Sequence, residues 1–83
     1  MKGIDIRKYI WVRPDICHGK PCFRSTRIPV SLVLHMLEGG DSIEAILGGY
    51  PSLTPRHIEA ALHLAGDMID SGKLRSPLRA RAA

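Results

Sequence analysis

Between residues 29 and 72, glycine and proline interrupt the chain at Gly39-Gly40, Gly48-Gly49, Pro51, Pro55 and Gly72, and each break falls where an apolar stretch begins or ends. The fold must therefore be assembled from short pieces. Val30 to Leu37 is apolar nearly all round, broken only by Ser31 and His35, which predicts a buried helix over about 30–38 closed by a left-handed glycine. Asp41-Ser42-Ile43-Glu44 reads as a capping start, with Glu44 three places after Asp41 and Ile43, Ile46, Leu47 and Tyr50 following at helical spacing; the second helix is expected over about 42–48. Thr54 offers an N-cap oxygen and Pro55 suits a first helical turn. The stripe Ile58, Ala61, Leu62, Ala65 and Ile69 then predicts a third helix over about 54–71. A short helix running into a longer one fits a helix-turn-helix-like, homeodomain-like unit, although the connection from Gly48 to Leu53 is longer than the usual tight turn.

The head of the chain has a different pattern. Tyr9-Ile10-Trp11-Val12 is aromatic and β-branched and is followed by Arg13-Pro14-Asp15, a strand and then a turn. Gly19 and Lys20 can turn the chain between Ile16-Cys17 and Cys22-Phe23, and a second extended piece fits Pro21 to Ile28, with Pro29 holding Ile28 out of the helical region. The expected architecture is α+β: a β arm at 9–28 on a three-helix unit, residues 1–72 forming one domain and 73–83 a flexible basic tail. A lone hairpin is barely stable in water, so the arm should pack on the helices or pair with the arm of a second subunit. A chain of 83 residues also buries a smaller fraction of its surface than larger domains do, which favours help from a partner, here a homodimer formed through the arm.

Charge is segregated along the chain. Residues 1–30 hold seven Lys/Arg and two Asp/Glu, residues 31–72 one and six, and residues 73–83 four and none, giving +5, −5 and +4. The two basic ends are thus the sites where phosphate can be attracted. In the arm, Lys20, Arg24 and Arg27 can hold phosphate oxygens or partner carboxylates, with alternation placing Arg24 and Thr26 on one face and Ser25 and Arg27 on the other; at least one arginine is expected to pair with the acidic helices. On the third helix, Thr54, Arg56 and His57 occupy the turn that recognition helices present to a major groove, although Arg56 reads equally as a solvated helix residue and Glu59, Asp67 and Asp70 oppose laying the helix along DNA.

Other chemistries find less support. Cys17, His18 and Cys22 bring three possible metal ligands into six residues, with His35, His57 or His63 as a fourth, but no second closely spaced pair accompanies them and buried thiols are the commoner fate of cysteine; no metal or cofactor is expected. Neighbours on a strand face opposite ways, so Cys17 and His18 do not make a nucleophile and base, and an enzyme is not expected. No apolar run approaches the roughly 18 residues of a membrane span, and no charged-then-apolar leader precedes the domain; the expected location is the cytoplasm, without membrane contact.

Gly19-Lys20-Pro21 and Arg24-Ser25-Thr26-Arg27-Ile28-Pro29-Val30, followed by Gly39-Gly40-Asp41-Ser42-Ile43-Glu44-Ala45-Ile46-Leu47, Tyr50-Pro51-Ser52-Leu53-Thr54 and Ile58-Glu59-Ala60-Ala61-Leu62, closely resemble the pattern of the domain of unknown function 433 family over about residues 9–66. Ser25 stands where that family usually has glycine, so a residue with a side chain must adopt a conformation that glycine reaches freely. The resemblance implies an antitoxin of a bacterial toxin-antitoxin pair, which silences a PIN-like ribonuclease toxin and represses its own promoter by binding its DNA. A PIN-type site gathers carboxylates around a metal, so arginines in the tail, Arg75, Arg79 and Arg81, are the expected toxin-binding residues. The alternatives are a stand-alone transcriptional regulator and a structural adaptor.

Overall fold

The structure, a computed structural model, describes residues 3–72. A short two-stranded antiparallel arm, β1 (Ile10–Trp11) and β2 (Cys22–Phe23), is followed by three helices, α1 (Val30–Glu38), α2 (Ile43–Gly49) and α3 (Pro55–Asp70). Ile10 pairs with Phe23 and Trp11 with Cys22. The α+β expectation and the helix bounds therefore hold to within a residue or two, while the tail carrying Arg75, Arg79 and Arg81 lies outside the described residues.

The arm is shorter than its sequence suggested, and it pairs differently. Its hairpin does not turn at Gly19-Lys20 between Ile16-Cys17 and Cys22-Phe23; those two residues sit in or beside a single 3-10 turn, Cys17–Gly19, within a longer connection from β1 to β2. Nor does the second extended piece run on to Ile28. The Phe23 N–H donates to Ile28 O at 3.0 Å and the Thr26 N–H to Phe23 O at 3.0 Å, folding residues 24–27 into a tight loop, so the expected alternation of Arg24 and Thr26 against Ser25 and Arg27 has no strand to sit on. Thr26 locks this loop: its hydroxyl donates to Phe23 O at 2.7 Å and accepts from the Ile28 N–H at 3.0 Å. Ser25 takes up the strain at φ +65°, a left-handed conformation that disfavours any residue with a Cβ. Ser25→Gly is expected to raise stability by about 0.5–1 kcal/mol, the left-handed penalty relieved less the extra entropy glycine loses on folding, read as a higher urea midpoint at unchanged slope.

The helices end as their sequences suggest, with one change of cap. Gly40 at φ +100° turns the chain out of α1, and the Asp41 N–H closes onto Met36 O at 3.0 Å. Ser42 rather than Asp41 caps α2, its hydroxyl accepting from the Ala45 N–H at 3.0 Å. The core joins one face of each element: Ile10 and Phe23 from the arm, Val30 and Val33 from α1, Ile46 from α2, Leu53, and Ile58, Ala60 and Ala61 from α3. The arm thus packs on its own helices. The stripe on α3, however, is covered only in its first half, and Leu62 and Ile69 are 51% and 63% exposed.

Candidate functional site

The first turn of α3 is where the arm is fastened. The Thr54 N–H donates to His57 Nδ1 at 2.9 Å, and the Thr54 hydroxyl lies 2.9 Å from the same nitrogen, so Nδ1 is an acceptor and the ring is neutral with its proton on Nε2. The imidazole then stands edge-on to Tyr9, ring centroids 5.0 Å apart, and to Phe23, at 5.7 Å. Two residues expected at a DNA groove are in this way engaged within the fold, Thr54 as a cap and His57 as the peg between α3 and the arm.

Burial of this ring lowers the His57 pKa below its usual value of 6.5. The unfolded chain then binds a proton that the folded chain resists. Stability contributed by neutral His57 is complete above 6.5 and is lost as pH falls through the lowered value. Urea midpoints are expected to drop as pH falls below 6.5, and His57→Gln, which keeps an N3 capping side chain but does not titrate, should show a smaller drop.

Tyr9 connects this turn to a cluster of arginines. Arg56 lies beside the Tyr9 side chain and pairs with Glu59 at 2.8 Å, and both neighbours raise its pKa, Tyr9 more strongly. The Tyr9 carbonyl accepts from the Arg24 N–H at 2.8 Å, and Arg24 Nε donates to Arg7 O at 2.9 Å. The Arg24 guanidinium lies 5.2 Å from the centre of the Trp11 ring and that of Arg13 5.1 Å from the same ring. The exposed guanidinium groups of Arg13 and Arg24 therefore share the Trp11 ring, while exposed Arg56 stands at the Tyr9 side chain two residues earlier. Asp5 and Asp15 pair with Arg7 and Arg13 at 3.8 and 3.3 Å, but these exposed contacts are weak and exchange readily for a phosphate.

The expected pairing of an arm arginine with the acidic helices is not made among the described residues; each ion pair there joins close neighbours in sequence. The arm's charge stays available. Arg27 is exposed, and its guanidinium has no hydrogen bond or ion pair among the described residues. Lys20 lies elsewhere, on the rim of a groove of about 370 Å³ between α1 and the second half of α3, lined by Pro21, Val30, Leu34, Leu64, Met68 and Ile69. Sequence reasoning missed Trp11 as a site residue. The available signal was Arg13 two places from Trp11, but the contact with Arg24 depends on the pairing of β1 with β2.

Among the described residues no group of His, Cys, Asp and Glu side chains is placed to hold a metal ion, and no helix is long and apolar enough to cross a membrane. Residues 10–65 match the family model described as "Protein of unknown function (DUF433)". The chain is 38% identical over 55 residues to the uncharacterized protein y4eO of Sinorhizobium fredii, a match covering 66% of this chain and 25% of that protein. It also resembles the crystal structure of a DUF433 member from Anabaena variabilis, with a TM-score of 0.72 and 29% identity, over 80% of this chain and 65% of the other. The likeness thus spans a quarter of the first relative's length and just under two thirds of the second's.

Proposed function

Because the chain belongs to the DUF433 family, whose description assigns no function, and because its small helix-turn-helix-like fold carries an arginine and aromatic surface, we propose that it is a DNA-binding regulator acting as the antitoxin of a toxin-antitoxin pair. The observation that carries the DNA part is the pair of exposed guanidinium groups, Arg13 and Arg24, over Trp11, with Arg56 at the Tyr9 side chain where the arm meets α3. Guanidinium groups bind phosphate oxygens through paired N–H donors, and an aromatic ring beneath them fixes their direction. The role is binding rather than catalysis, and the partners are promoter DNA, a PIN-like toxin and a second copy of the chain through the arm.

Support for a protein partner comes from the apolar groove and from Leu62, Met68 and Ile69, which α3 leaves exposed where its stripe runs past the core. The tail arginines Arg75, Arg79 and Arg81 remain the proposed toxin contacts. Binding of the full chain to duplex from its own upstream region, measured against salt, tests the DNA reading. Salt-independent affinity would exclude it. Truncation after Gly72 tests the other half: a truncated chain that neutralises its toxin at equal molar ratio removes the tail as inhibitor and leaves the arm and the groove.

A further inference from the structure

Cys17 and Cys22 are both free thiols, and their sulfurs touch at 3.2 Å across five residues of chain. Their meeting depends on an uncommon backbone. Cys17, His18 and Gly19 have φ of +53°, +55° and +78°, three successive left-handed residues, the first two of which carry a Cβ. This path brings Cys17 back over β2, half-buried and open to solvent on one side, while Cys22 is fully enclosed. Strained residues of this kind cluster at reactive sites, and here they bring two thiols together.

We propose that Cys17 and Cys22 form a dithiol site that undergoes thiol–disulfide exchange with a low-molecular-weight disulfide, closing a bond beneath the Arg24–Arg27 loop. The Cys17 thiolate attacks one sulfur of the small disulfide, forming a mixed disulfide and releasing one small thiolate. The Cys22 thiolate then attacks Cys17 Sγ, forming the Cys17–Cys22 bond and releasing the second. Both protein protons pass to the released thiolates, so one small disulfide is reduced to two thiols as the pair is oxidised. The order follows from access: Cys17 meets solvent, whereas burial and the neighbouring thiol raise the Cys22 pKa.

Closure changes the basic loop because each thiol now bonds to it. Cys22 Sγ lies 3.1 Å from Thr26 O and Cys17 Sγ 3.5 Å from Arg27 O, and a disulfide has no proton to donate to either carbonyl. A built-in reporter sits alongside. The chain's one tryptophan, Trp11, has a buried indole N–H with no hydrogen bond of good geometry among the described residues, although it lies close enough to Cys22 to favour its thiolate. An excited indole donates an electron to a nearby disulfide, so oxidation should quench its emission.

Full-length protein incubated under native conditions with oxidised glutathione is expected to lose the mass of two hydrogens and both titratable thiols while remaining uncrosslinked between chains. Its tryptophan emission should fall and recover with dithiothreitol. Cys22→Ser should instead accumulate a glutathione adduct on Cys17. Cys17→Ser, altered at the half-buried position and so expected to fold, should keep a Cys22 thiol that reacts at least tenfold more slowly. Two thiols still titratable after native incubation, chain-to-chain crosslinks alone, or a Cys22 that reacts equally fast without Cys17 would each overturn the assignment.

Discussion

Phe23→Ala is expected to lower stability by about 3–5 kcal/mol, because the side chain is fully buried and the elements around it cannot close over the space left behind. A chain of 83 residues has a total stability on the order of 4–12 kcal/mol, so the variant loses about a quarter of it or more, and at the lower end of that range is unfolded in substantial part at room temperature. The effect is large for a structural reason. Phe23 pairs with Ile10 across the arm, meets the edge of His57 on α3 and belongs to the cluster that includes Val30 and Val33 of α1, so one substitution loosens the arm from both helices. Urea denaturation followed by far-ultraviolet dichroism and by Trp11 emission checks it. A midpoint within the range of ordinary surface variants would mean that the arm does not hold the domain together.

Arg13, Arg24 and Arg56 replaced together by alanine should leave the domain folded and remove most of its affinity for DNA. Each charge-assisted contact contributes about 1.5–3 kcal/mol, so each lost arginine weakens binding by roughly tenfold or more. The dependence of affinity on salt should flatten by about 0.9 per lost phosphate contact, which separates lost electrostatics from a merely misfolded protein. Since Arg24 Nε also holds Arg7 O, the variant's melting curve is the required control. Uniform weakening over unrelated duplexes would identify these groups as phosphate contacts, whereas a loss confined to one sequence would place a guanidinium at a base edge. Unchanged affinity and slope would remove this surface from the DNA-binding reading and leave the tail as the basic end still to test.

The three helices were legible because their signals are local. Pro29, Gly40, Thr54-Pro55 and Gly72 act on the backbone within a few residues of themselves, and they set the bounds of α1, α2 and α3 to within a residue or two. The left-handed turn at Ser25 was legible only through the family resemblance, in which glycine usually stands at that position. The arm was harder to read. Its strands are two residues each, too short for alternation to declare a partner, and the connection from Trp11 to Cys22 left open which segments would meet. Sequence by itself determined the order of the elements and the segregation of charge, because both are properties of neighbouring residues. Only the tertiary structure decided that His57 would fasten the arm rather than face solvent, that Lys20 would line an apolar groove between α1 and α3, and that Arg13 and Arg24 would share the Trp11 ring while Arg56 meets Tyr9. The placement of His57 follows from packing two aromatic residues, Tyr9 and Phe23, against one turn of α3, a contact between segments more than thirty residues apart that no local pattern encodes.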